Sequence, residues 1–218
     1  MKFRNIVLSF LLLAFTLTGT AQTGYVPLFE KDLSNAVYPE GVWTYDSVLT
    51  ASEDKCIWTK KEYDNFILNL EFKTAEGTNS GVIVHCNDIK NWIPNSVEIQ
   101  IADDHSEKWG NADKKWQCGA IFGHLEPRES RVKKPGEWNT MRVACKDNMI
   151  HVVLNGSLVA EMDMRLWKSA KWNPDGSEIP AWLSTPLAYL RTSGYIGFQG
   201  KHAGAPIWFR NIKIKELN

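Results

Sequence analysis

The stretch Phe66-Ile-Leu-Asn-Leu-Glu-Phe-Lys73 alternates strictly, with Phe66, Leu68, Leu70 and Phe72 on one side and Asn69, Glu71 and Lys73 on the other. A period of two residues belongs to a strand with one face buried and one face wet. Outward from it, the same reading marks strands at Gly81 to Cys86, Val97 to Ala102, Gly119 to Leu125, Thr140 to Lys146 and Met149 to Leu154. Asn155-Gly156 tolerates the positive φ values of a type I′ turn and leads into a strand from Ser157 to Met162. Tyr195 to Gln199 and Ile207 to Glu216 follow, with a shift of alternation at Arg210-Asn211 that predicts a bulge. Helical periodicity is weak, so about ten strands in two sheets predict an all-β sandwich.

The amino terminus reads as an export signal. Lys2 and Arg4 precede an apolar run from Ile6 to Thr18, and Gly19-Thr20-Ala21 supplies small residues for cleavage. The run is shorter than the roughly 20 residues a membrane span needs. The expectation is a leader over residues 1–21 and a single sandwich domain over residues 22–218, periplasmic or secreted, with no integral membrane segment after cleavage. No Cys stands at the cleavage site to take a lipid.

Lys plus Arg and Asp plus Glu are both 25, so the chain has no basic footprint for nucleic acid and suits a small, weakly charged ligand such as a carbohydrate. Cys56, Cys86, Cys118 and Cys145 lack Cys-x-x-Cys spacing. They read as buried free thiols, with a disulfide between two of them the alternative that export permits. No Gly-x-Ser-x-Gly elbow or phosphate-binding glycine loop is present.

In Ser96-Val-Glu-Ile-Gln-Ile-Ala102, Val97, Ile99 and Ile101 share one face, so Glu98 and Gln100 point together on the other. A carboxylate beside an amide can bind sugar hydroxyls, and desolvation can tune it as an acid or base. The competing reading is a solvated outer face. Asp103 follows, and Glu-x-Gln-x-x-Asp resembles the Glu-x-Asp-x-x-Glu of laminarinase-type sandwich glycosidases, differing at the middle and last positions. A retaining glycosidase needs two carboxyl groups about 5 to 5.5 Å apart.

His85 and His124 end predicted strands, His105 opens a long segment from Asp103 to Gln117, and His202 sits in Gly200-Lys-His-Ala-Gly204. These four could converge with Glu98 or Asp104 at one mouth, as acid and base or around a divalent metal ion, whereas His151 looks structural. Glu98, His105 and His124 are the candidate catalytic groups. Of ten Trp residues, Trp43, Trp138 and Trp208 adjoin strands and read as packing. Trp92, Trp109, Trp116, Trp172 and Trp182 fall in connecting segments, where indole faces can stack on sugar rings. A second long segment runs from Met162 to Ser193, with a short helix expected near Met164 to Lys168.

Nine ordered pieces, among them Leu28-Phe-Glu-Lys-Asp-Leu33, Asn79-Ser-Gly-Val82, Val97-Glu-Ile-Gln-Ile-Ala-Asp103, Gly119-Ala-Ile-Phe-Gly123, Ile196-Gly-Phe-Gln199 and Trp208-Phe-Arg-Asn-Ile212, give the chain its likeness to a known group. It resembles the 3-keto-disaccharide hydrolase domain family over nearly its whole length after the leader. That resemblance implies a concanavalin A-like jelly roll and cleavage of sugars already oxidised at C3, with Glu98 or a nearby His as the base. It also implies ligand-facing Glu98, Gln100, Gln199 and Arg210, with Asp103 beside them; Trp109, His85 and His202 complete the candidate substrate contacts. Two features depart from the family pattern: the longer Gly200-Lys-His-Ala-Gly-Ala205 link, and His85 where Arg is expected more often. A lectin-like binding module and an ordinary retaining glycosidase are the alternative readings.

Overall fold

The computed structural model describes residues 24–217, so the expected leader and cleavage point lie outside the described residues. Thirteen strands are formed among the described residues. They are β1 (Val26–Pro27), β2 (Ala36–Val37), β3 (Trp43–Tyr45), β4 (Leu49–Ala51), β5 (Ile57–Tyr63), β6 (Phe66–Thr74) and β7 (Asn79–Cys86). They continue as β8 (Val97–Ala102), β9 (Trp138–Lys146), β10 (Met149–Leu154), β11 (Ser157–Asp163), β12 (Gly194–Phe198) and β13 (Ile207–Glu216).

All pairings are antiparallel. The larger sheet runs β11-β10-β9-β6-β13-β4-β3 with β1 added to β13, and the smaller runs β2-β5-β12-β7-β8. Packed face to face, they form the expected jelly-roll sandwich. Strand β6 alternates buried and half-buried residues along its full length, as Phe66 to Lys73 requires. Its inward side chains meet those of the smaller sheet; Phe198 of β12 stacks on Phe209 of β13 at 4.8 Å between ring centroids, and Phe29 meets Phe198 edge-on at 5.6 Å.

Turn chemistry follows the sequence. Asn155 and Gly156 have φ values of 49° and 87°, closing the β10–β11 hairpin. The register of β13 against β6 shifts between Arg210 and Lys213, with Asn211 at φ 53°, which is the expected bulge. Met164–Leu166 forms one short 3₁₀ turn where a helix is expected. All four cysteines are free, and Cys86, Cys118 and Cys145 are buried.

One expected strand is absent. Gly119 to Leu125 is an irregular segment that makes only bridges, Ile99 to Ile121 and Ile121 to Leu125. Gly119 and Gly123 take φ values of 87° and 70°, which break the pleat. The segment instead satisfies the free edge of β8. Gly119 N–H donates to the Gln100 carbonyl, Gln100 N–H to that of Ala120, and Phe122 N–H to that of Glu98. An edge that could pair with another chain is covered by the chain's own backbone. This cover also fixes which side of β8 is closed and which opens onto a cavity.

Candidate active site

Glu98, Gln100, Asn79 and Gln199 share the outer face of the smaller sheet, because Val97, Ile99, Ile101, Val82 and Phe198 occupy the core side. Glycines make room among them. A Cβ at Gly81, the β7 neighbour of Gln100, would collide with the Glu98 carboxylate, so the acid lies folded over bare backbone. A Cβ at Gly197 would likewise strike the indole of Trp58, which packs there against Trp92 at 6.1 Å.

The connecting segments raise aromatic walls around this floor. Trp92, Ile93, Trp109, Trp116, Phe122 and Trp182 join the four polar residues and His202 in enclosing a cavity of about 340 Å³, within the range of small-molecule sites. Trp116 meets Phe122 edge-on at 4.7 Å and Trp182 at 6.0 Å. Four of the five Trp residues expected to face a ligand do so; Trp172 is on the surface elsewhere, 55 % exposed.

Glu98 is the electrostatic centre. Its Oε1 is covered and has no hydrogen-bond partner. Burial, helped by the negative charge of Asp54, pushes the carboxyl up to about 8. Beside it, Gln100 Nε2 donates to Asn79 Oδ1 at 2.9 Å, which fixes both amides. Gln199 is held by its backbone, N–H to the Gly81 carbonyl at 2.9 Å and carbonyl from Ser80 Oγ at 2.7 Å. Its side chain faces the cavity. The face that sequence left open between solvent and function is therefore a desolvated floor.

Asp103 acts at one remove. Its Oδ2 accepts the Gly77 N–H at 2.9 Å and its Oδ1 the His105 N–H at 3.2 Å. Gly77's carbonyl then accepts from Trp109 Nε1 at 3.2 Å. The carboxylate holds the loop that delivers Trp109 and is not among the cavity-lining residues, since it follows Ala102 on the opposite side of the strand. Asp103 therefore does not supply, on this strand, the second carboxylate that a retaining glycosidase would set beside Glu98.

The four histidines do not converge. His202 alone lines the cavity, its Nδ1 2.6 Å from Asp54 Oδ2. His124 is buried behind Glu98, in a small void shared with Ser96, Phe122 and Leu183, and burial pulls it down to about 4. His105 Nε2 bonds the Val132 carbonyl at 3.1 Å and ties down its loop. His85 sits in a bulge at φ 55°, turned inward against Phe66, and burial pulls it down to about 4. A neutral core imidazole replaces the ligand contact expected there. Among the described residues no three His, Cys, Asp or Glu side chains are grouped to hold a metal ion, so the donor set does not fit one and no step is routed through a metal.

Arg210 is also displaced from its expected role. Phe209 points into the core, so Arg210 faces outward from the larger sheet, away from the cavity. There its Nε donates to Glu71 Oε2 at 2.7 Å and its guanidinium lies 3.9 Å from the Trp138 ring centroid. Burial pushes Glu71 up, but hydrogen bonds from Asn211 and Arg210 outweigh it and hold the carboxyl below its ordinary value. Trp138 and Trp208 flank Lys73 on this same face, at 5.2 and 4.7 Å, rather than packing in the core.

Sequence reasoning missed Asp54 and Gly81 as site residues. Asp54 stands behind the cavity's His202 because of a glycine: a Cβ at Gly200 would meet the Glu53 and Lys55 carbonyls, so the Gly200–Gly204 link docks on that turn and sets His202 against Asp54. Only the close pairing of two loops distant in sequence reveals it.

A desolvated acid, amide side chains lining the same cavity and a ring of indoles on a jelly-roll sheet define a carbohydrate-directed sandwich protein. The chain belongs to the 3-keto-alpha-glucoside-1,2-lyase-like domain family, whose model matches residues 24–215. It is 25% identical over 176 residues to the 3-keto-disaccharide hydrolase of Bacteroides thetaiotaomicron, covering 72% of this chain and spanning 60% of that protein's length. A Parabacteroides distasonis protein whose crystal structure bears the name "Putative glycosyl hydrolase" is 59% identical, with a TM-score of 0.86 over 88% of this chain and 99% of that one. A Bacillus subtilis protein with a galectin-like fold, 15% identical, aligns with a TM-score of 0.52 over 88% and 94% of the two chains, a likeness of fold alone.

Proposed function

We propose that the chain is an exported enzyme that cleaves 3-keto-glycosides by removing the C2 proton and expelling the glycosidic oxygen from C1. The observation that carries this reading is the unpartnered, desolvated carboxylate of Glu98 on the floor of an indole-walled cavity. A ketone at C3 acidifies the C2 hydrogen, so one base suffices and no carboxylate pair is needed. Glu98 takes the C2 proton; the electron pair forms the enolate and then the C1–C2 double bond as the C1–O bond breaks. The oxygen leaves as an alcohol after gaining a proton, and water adding to C1 of the enone gives the hydrolysed sugar.

The environment of Glu98 suits that role. A carboxylate pushed up to about 8 is a far stronger base than an ordinary one, and a general base contributes about 10² to 10⁴-fold when correctly placed. The Gln199 amide is available to donate to the ketone oxygen, whose charge grows as the proton leaves. Indole faces at Trp92, Trp109, Trp116 and Trp182 match the apolar faces of a pyranose. The leader-like residues 1–21 support export to the periplasm or medium, which amino-terminal sequencing of the purified protein checks.

The test is incubation of the protein with a 3-keto-glucoside and with the parent glucoside. Cleavage of the oxidised sugar alone, lost in Glu98→Gln, is expected. Turnover of the parent sugar alone overturns the reading, and binding of either without turnover indicates a lectin-like module.

A further inference from the structure

Beside the Glu98 cavity lies a second cleft, of about 560 Å³. The two share four lining residues, Trp92, Ile93, Gln199 and His202, and so meet along one wall. We propose, building on the elimination reading above, that this second cleft receives an aromatic leaving group and that His202 gives the departing oxygen its proton.

Position is the first argument. If the oxidised ring lies over Glu98, its C1 substituent needs a way out, and the shared wall is where one space passes into the other. The glycosidic oxygen then crosses beside that wall. His202 is its one titratable member. Its Nδ1 is engaged by Asp54 Oδ2 at 2.6 Å, and its Nε2 has no hydrogen-bond partner among the described residues. A carboxylate on Nδ1 accepts the Nδ1–H and stabilises the imidazolium, the form in which Nε2 also carries a proton, and that Nε2 proton is the one given to the departing oxygen. The dyad is half exposed, so the imidazole recovers its proton from solvent after each turnover.

Composition of the cleft is the second. Val37, Tyr38, Pro39, Cys56, Trp58 and Ile89 supply its remaining apolar surface. Val37 and Ile93 are each 41 % exposed, apolar groups at the rim that a bound ligand would cover. Of its polar groups, Asp54 is already engaged by His202 and the lysines Lys55 and Lys90 are exposed to solvent. A second sugar would strand its hydroxyls against Val37, Pro39 and Ile89; a flat aromatic ring between Tyr38 and the Trp58–Trp92 pair would not.

The step balances. The C2 proton passes to Glu98, the C1–C2 double bond forms, the C1–O pair goes to oxygen, and oxygen takes the His202 Nε2 proton. Solvent then deprotonates Glu98 and reprotonates His202.

The decisive measurement compares methyl and p-nitrophenyl 3-keto-glucosides. Methanol leaves poorly without a proton, whereas nitrophenolate leaves well without one. His202→Ala is expected to lower kcat/KM about 10²-fold or more on the methyl glycoside and less than about 10-fold on the nitrophenyl one. Tyr38→Ala is expected to narrow the preference for the aryl glycoside about 10-fold, chiefly through KM. Equal losses on both substrates in His202→Ala, or an unchanged preference in Tyr38→Ala, would overturn this assignment while leaving the elimination reading intact. Failure of the unaltered protein to cleave either 3-keto-glucoside brings down both.

Discussion

Replacing Glu98 by Gln should stabilise the protein at alkaline pH while abolishing turnover. In the native state burial and Asp54 move the carboxyl from its ordinary 4.5 to about 8. A raised carboxyl binds its proton more tightly folded than unfolded, so stability falls as pH climbs from the lower value to the higher and is constant outside that window. At about 1.4 kcal/mol for each pH step, a span of roughly 3.5 steps costs about 5 kcal/mol when the acid is fully ionised. Water reaching the carboxylate through the open cavity screens part of this, leaving about 2 to 3 kcal/mol. Gln has the size of the protonated acid and no charge to desolvate. Denaturant titrations of both proteins at about pH 4.5 and about pH 9 read the difference, with near-equal stabilities expected at the lower value and Gln ahead at the higher. A pH-independent gap, or a less stable Gln variant at about pH 9, would refute the claim that Glu98 is strained by desolvation.

The same group sets the pH dependence of catalysis: a base must be ionised, so on the p-nitrophenyl 3-keto-glucoside, whose leaving group needs no proton, kcat/KM should rise about tenfold per pH step up to about 8 and then level off, as a pH–rate profile will read. Gly81→Ala places a Cβ on the Glu98 carboxylate, and displacing that flexible end should cost about 10²-fold in kcat with the cooperative unfolding transition kept. Arg210→Ala should cost about 1 kcal/mol of stability through the lost Glu71 pair and Trp138 contact, with turnover unchanged; lost turnover in a folded protein would return Arg210 to the site.

Much of the fold is legible because long strands carry their own signal. Phe66 to Lys73, Val97 to Ala102, Met149 to Leu154 and Ile207 to Glu216 are read close to their true limits from alternation alone. Strands β1 to β4 are two or three residues long, too short for a period of two to show. Gly119 to Leu125 reads as a strand because its apolar residues are spaced like one, but two glycines at positive φ turn it into an edge cover. In the site, alternation pairs Glu98 with Gln100 correctly, yet it cannot say which sheet an outward residue belongs to. That is how Arg210, outward on the other sheet, enters a sequence-based list. The histidines fail for a related reason: a residue at the end of a strand can turn inward at a bulge, as His85 does, or bond a distant carbonyl, as His105 does.

The arrangement also explains why a charged residue can occupy the middle of a strand that is otherwise apolar. A carboxylate on the outer face of an edge strand would ordinarily be bathed in water and hold an ordinary pKa. Here the edge is sealed by the Gly119–Leu125 backbone, the neighbouring strand offers a glycine for the side chain to lie on, and the Asp103-fastened loop brings Trp109 over the remaining side. Each of these would be gratuitous around a structural acid, which is cheaper to pair with a cation. Arg210 pairs with Glu71 and Lys61 with Glu216, whereas Glu98 Oε1, facing the ligand-sized space, has no partner among the described residues. Strongly desolvated, unpaired carboxylates in clefts concentrate at functional sites, and that argument points to Glu98 independently of the relatives this chain resembles.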